Sequence, residues 1–171
     1  MSHVRVPAAR PSNRVAHTYS FDEANVPQGS YLNDVRISPG RFTHSGVRGA
    51  IVAVDTASGW ARRVLDGDPS TQADKSVTVK VDGKPLQQTD GRRIGVSADG
   101  IALTHNGRYR YWQAVKGKTL YRIATDALQN AQLSAQQVSA RVEAAGVDVS
   151  ADGLWSTNAV SFMCGGSNIM R

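Results

Sequence analysis

Three times along this chain an Asn or Asp followed by Asp or Gly opens a short segment in which apolar residues alternate. The segments are Asn33-Asp34-Val35-Arg36-Ile37-Ser38, Asp99-Gly100-Ile101-Ala102-Leu103-Thr104 and Asp152-Gly153-Leu154-Trp155. Their separations approach the ~40–50 residues that one β-propeller blade occupies once loop insertions are allowed. The innermost strand of each blade faces a common central channel, so side chains remote in sequence converge there. Oxygen-bearing side chains at equivalent blade positions then form a ring at the channel mouth, suited to a hard cation or a polar ligand.

Between the motifs lie runs with the period-two alternation of strands, bounded by turn residues. Strands are predicted at 14–21, 50–55, 60–65, 77–81, 108–112 and 119–123. The turns Thr56-Ala57-Ser58-Gly59, Asp82-Gly83 and Asn106-Gly107 join them as hairpins. Short helical pieces are predicted at 125–128 and 133–138, with a strand resuming at 140–143. The unit of motif strand, hairpin, outer strand and connection recurs about two and a half times, which makes the expected class all-β, a partial propeller of about two and a half to three blades. Frequent glycine, 16 residues, fits a turn-rich β protein better than a helical bundle.

The net charge of +6 raises the question of nucleic acid. The cations are scattered, however: Arg62-Arg63 and Arg92-Arg93 are pairs, while Arg108 and Arg110 alternate with Tyr109 and Tyr111. With no RNA-recognition motif, zinc-finger spacing or long basic helix, they read as a solvated surface, and no nucleic-acid partner is expected. The single cysteine, Cys164, excludes an intrachain disulfide and has no nearby His or acid to activate it. No apolar run of about eighteen residues is present, so no membrane span is expected. The first residues are basic but lack the apolar core of a secretory signal, which points to the cytoplasm for the chain as it stands.

The segments resemble the major royal jelly protein/yellow family, whose members are six-bladed propellers. The resemblance rests on Tyr31-Leu32-Asn33-Asp34-Val35-Arg36, Gly49-Ala50-Ile51-Val52-Ala53-Val54-Asp55, Arg62-Arg63-Val64-Leu65-Asp66 with Pro69-Ser70-Thr71, and Asp99-Gly100-Ile101-Ala102-Leu103. It continues through Tyr111-Trp112-Gln113, Lys118-Thr119-Leu120-Tyr121-Arg122-Ile123 and Asp152-Gly153-Leu154. It implies an extracellular or periplasmic setting. A more distant similarity, to the gluconolactonase/regucalcin propellers, implies a divalent cation, Ca²⁺ or Zn²⁺, at the channel mouth. By motif, Asn33 falls at a substrate- or metal-proximal position, and Asp99 and Asp152 at two metal-ligand positions of those lactonases.

The chain departs from the family at 38–45, where one strand is expected to be truncated or absent, and after Trp155, where alternation is lost. A family member is also longer, with earlier blades. The organisation expected is a disordered leader over 1–12, a partial propeller over 13–155 and an atypical tail over 156–171. Such an array leaves open strand edges that favour self-association.

Two carboxylates and an amide oxygen suit a hard divalent ion, which acts on a lactone as a Lewis acid or through bound hydroxide. The competing reading of each motif is an Asx turn capping local N–H groups. His44 and His105 are weaker candidates; Trp112, Tyr109 and Tyr111 are expected to pack between blades, and Ser45, Ser70 and Thr71 have no His/Asp partner at triad spacing. The function expected is a propeller that binds a small polar ligand through Asn33, Asp34, Asp99 and Asp152 and is inactive alone. The alternative is a metal-dependent hydrolase of sugar lactones, with Asn33, Asp99 and Asp152 as ligands.

Overall fold

The computed structural model describes residues 2–7, 15–28, 30, 32, 35, 41–42, 48–81, 84–85, 97–147, 153–156 and 162–164. Within them the chain is mostly antiparallel β with two short helices, an all-β protein as the alternation predicts. Strands β1 (Ser2–Pro7) and β2 (Val15–Phe21) pair with one another. Strands β3 (Arg41–Phe42), β4 (Ile51–Asp55) and β5 (Ala61–Val64) form a three-stranded sheet with β4 central, and β6 (Lys80–Val81) pairs with β7 (Lys84–Pro85). Next comes a four-stranded meander of β8 (Ala98–Leu103), β9 (Tyr109–Ala114), β10 (Thr119–Ala124) and β11 (Glu143–Val147), in which helices α1 (Thr125–Gln129) and α2 (Ala135–Ser139) fill the connection from β10 to β11. Strand β12 (Leu154–Ser156) pairs with β13 (Phe162–Cys164).

The hairpins form where turn chemistry demands them. Asp55 accepts from the Ala57 amide and the Ser58 hydroxyl, and Gly59 takes a left-handed φ of +75°, which returns the chain into β5. Between β8 and β9, Gly107 sits at φ +71° while Asn106 Oδ1 accepts from the Arg108 amide. Helix α2 opens with a capping box: Ser134 Oγ accepts from the Gln137 amide, and Gln137 Oε1 accepts from the Ser134 amide.

Packing follows strand parity. On β4, Ile51 joins Ile101, Trp112, Ile123 and Leu128 in the core between the three- and four-stranded sheets. Val52 and Val54 point the other way, against Phe21 and Val26, with Tyr19 alongside. On the opposite face of the four-stranded sheet, Ala102, Tyr111 and Leu120 pack on Leu154 at the start of β12. Both faces of β4 and of β9 are therefore buried, and the sheets of β1–β2, β3–β5, β8–β11 and β12–β13 stack in chain order.

The structure departs from the sequence expectations in four places. Ser2–Pro7, expected within a disordered leader, forms β1; its alternation of Val with His and Arg is strand-like, and Pro7 falls at the register shift where a missing N–H is tolerated. The strand expected over 77–81 is confined to β6, because Asp74 accepts from Ser76 and the Val77 amide bonds the Asp74 carbonyl, holding 74–77 in a turn. Strand β11 begins at Glu143 instead of residue 140, since the amides of Arg141 and Val142 still bond back to Val138 and Ser139. Within the tail expected to lose its pattern, Phe162–Cys164 pairs with β12. The motif strand at 33–38 lies outside the described residues except for Val35, and of the segment 38–45, where truncation was expected, only Arg41–Phe42 (β3) is described.

Candidate functional site

Of the sequence-predicted site residues, Asn33, Asp34 and Asp152 lie outside the described residues, and Asp99 lies within them. Asp99 is the second residue of its strand, after Ala98. It stands inside β8 at a bulge, where the register with β9 shifts between Ala98 and Gly100, and is 2% exposed. A bulge adds one unpaired residue and bends the strand, a device common beside ligand sites.

The next residue brings two copies of the motif together. A Cβ on Gly100 would lie 3.1 Å from the Leu154 nitrogen and 3.2 Å from the Gly153 carbonyl carbon, so any side chain here would press the two backbones apart by a few tenths of an ångström. Strand β8, from the second motif, and β12, from the third, are thus neighbours although they belong to different sheets.

Behind this junction the Leu65–Thr71 loop ties the sheets. The Thr71 hydroxyl, 0% exposed, shares its proton among the carbonyls of Gly49, Leu65 and Asp68 at 2.9–3.0 Å, and the Ala98 amide donates to the Thr71 carbonyl at 2.7 Å. Trp112 Nε1 donates to the Ser70 carbonyl at 3.0 Å. Asp68 accepts from the Ser70 amide and hydroxyl and, at 2.5 Å, from the Ser139 hydroxyl of α2. Burial disfavours the Asp68 carboxylate, but these hydrogen bonds outweigh it and hold the group below its ordinary pKa of 3.8. Ser70 and Thr71 are therefore structural hydroxyls.

The arginine pair expected on a solvated surface is engaged in the fold. Arg62 donates from both terminal nitrogens to the carbonyls of Asn130 and Leu133, and Arg63 donates to Asp66 and to the carbonyls of Arg48 and Asn25. Arg110 is 1% exposed on β9. The aromatics of β9 are packed: Trp112 is fully buried and stacks on its cross-strand neighbour Tyr121, and Tyr111 joins the core beside β12. His105 is exposed between β8 and β9, and His44 lies outside the described residues.

Among the described residues no group of three or more His, Cys, Asp or Glu is placed to hold a metal, and of the three tentative ligands only Asp99 is described. Nor, among the described residues, is any helix long and apolar enough to cross a membrane. Sequence reading missed Asp68, Ser139 and the Arg62–Arg63 contacts; the available signal was Asp-Pro-Ser-Thr at 68–71, a run of small acceptors and donors around a proline. A scan against family models finds no match to the chain, and a search of curated proteins finds none either.

Proposed function

We propose that this chain is a propeller of the major royal jelly protein/yellow type and that it holds a small polar ligand where its motif strands meet. Asp99 and Asp152 supply acceptors from the second and third motifs, with Asn33 and Asp34 contributing from the first. The observation that carries this reading is the contact of β8 with β12 through Gly100, which makes two copies of the motif neighbours in space. The stacking of sheets in chain order, and the meander that leaves the motif strand β8 at one edge of its sheet, support it as well.

Calorimetric titration of the full chain with tyramine, Ca²⁺ and Zn²⁺, alongside a gluconolactone hydrolysis assay, tests it. Saturable binding without turnover, weakened in both Asp99→Asn and Asp152→Asn, is the expected result. Turnover that requires Ca²⁺ or Zn²⁺ and is lost in Asp99→Asn would move the assignment to a lactone hydrolase. No binding of any probe at millimolar concentration, or binding that neither substitution changes, would overturn the site.

A further inference from the structure

A cleft of 480 Å³ lies between β5, the loop that follows it and α2, within the ~300–1,000 Å³ range of small-molecule sites. It shares no residue with the motif strands. Val64 and Leu65, 5% and 4% exposed, are among its apolar lining residues, and Arg63, Asp66, Asp68, Gln136 and Ser139 are among its polar ones.

The hydrogen-bonding state of these groups limits what can enter. The terminal nitrogens of Arg62 and Arg63 already donate to carbonyls and to Asp66. An anion would have to break those bonds. Acceptors remain: among the described residues Asp66 is bonded through Oδ1 alone, Asp68 Oδ2 takes one hydrogen bond, and the Gln136 side chain takes none. The charges of Arg62 and Arg63 offset those of Asp66 and Asp68, so a cation gains no net attraction. What fits is a neutral molecule with many hydroxyl donors.

The backbone beneath the cleft carries an independent sign. Leu65 is buried at a left-handed φ of +53°, a conformation that costs a bulky residue about 1–2 kcal/mol and that concentrates at ligand sites.

We propose that this cleft binds a neutral, hydroxyl-rich small molecule of monosaccharide type, with its hydroxyls donating to Asp66 and Asp68 and bonding the Gln136 amide. The test is an amide-resolved NMR titration of the full chain with D-glucose, D-glucosamine and D-glucuronate, which share a ring and differ in charge. The expected result is saturable shifts at residues 62–68 and 135–140 with glucose, weaker binding of both charged sugars, and unmoved amides at 98–103. Asp66→Asn and Gln136→Ala should each weaken glucose binding about tenfold while leaving the rest of the spectrum folded. Glucosamine or glucuronate binding as well as glucose, shifts at 98–103 in place of the cleft, affinity unchanged by both substitutions, or no shift up to high millimolar glucose would each overturn the proposal. Because the motif strands are read separately in the same spectra, failure here is distinct from failure of the channel reading.

Discussion

Thr71 closes on Gly49 so tightly that a Cβ at position 49 would stand 1.9 Å from the Thr71 carbonyl oxygen. That oxygen is also the acceptor for the Ala98 amide that opens β8, and the Gly49 carbonyl accepts from Thr71, Gln72 and Gly67. One pair of residues thus joins the entry to β4, the central strand of the three-stranded sheet, to the start of β8 in the four-stranded one. Gly49→Ala must displace backbone, and we expect it to destabilise the fold by about 3 kcal/mol. Thr71→Val keeps the shape but removes the buried hydroxyl, at a cost of about 1–2 kcal/mol. Chemical denaturation of both variants checks the order; a Gly49→Ala protein as stable as the parent would contradict the contact.

The motif glycines separate by environment. A Cβ at Gly100 meets Leu154 at 3.1 Å, whereas one at Gly153 meets nothing within 4 Å. Gly100→Ala is expected to cost about 1–3 kcal/mol by pushing β8 from β12, and Gly153→Ala to stay within about 0.5 kcal/mol of the parent. Equal effects in thermal melts would show that the two motif strands do not touch as described.

Leu65 poses two opposing terms. Replacement by glycine relieves a left-handed φ of +53° worth about 1–2 kcal/mol, but it empties a site 4% exposed in the core, which costs about 2–5 kcal/mol. Burial wins, so Leu65→Gly should lower the denaturation midpoint. A rise in the midpoint would mean that strain exceeds packing at this position.

Asp68 gives the stability a defined acid dependence. Its folded-state pKa lies below the ordinary value of 3.8 because, against the opposing effect of burial, Ser139 and Ser70 donate to the ionised form. The folded chain therefore binds fewer protons here than the unfolded one. The contribution is complete above the unfolded value and is lost as pH falls through the lowered one. Asp68→Asn should melt below the parent near neutral pH, and the gap should close as pH drops below about 4. A gap of constant size from neutral pH into acid would remove Asp68 from the acid response.

The exposed Arg122 fork makes a useful contrast. It bonds Glu143 at 2.7–2.8 Å and lies over Tyr109, and its hydrogen bonds to Tyr111 and to Glu143 push its pKa above the ordinary guanidinium value. Its partner Glu143 is 54% exposed, so Arg122→Ala should cost no more than about 1 kcal/mol. Arg62→Lys should cost more, because a single ammonium cannot reproduce the fork on the Asn130 and Leu133 carbonyls. Paired urea titrations of the two variants decide the ranking.

The local structure was legible in the sequence where it is governed by local chemistry. Asn106-Gly107 named its hairpin, Ile51-Val52-Ala53-Val54 named a strand, and the alternation of Tyr109, Tyr111 and Trp112 placed aromatics in the packing, because turn dihedrals and strand parity depend on neighbours a few residues apart. The motif containing Asp99 was visible as chemistry but not as geometry: its bulge in β8 depends on register with β9, which no short window encodes. Likewise Arg62 and Arg63 read as surface charge, since their carbonyl partners at Asn130, Leu133 and Asn25 lie far along the chain. Only tertiary structure, through contacts such as Thr71 with Gly49 and Gly100 with Gly153, decided which segments meet. That choice depends on burying both faces of β4 and of β9 at once, a condition imposed by distant residues together.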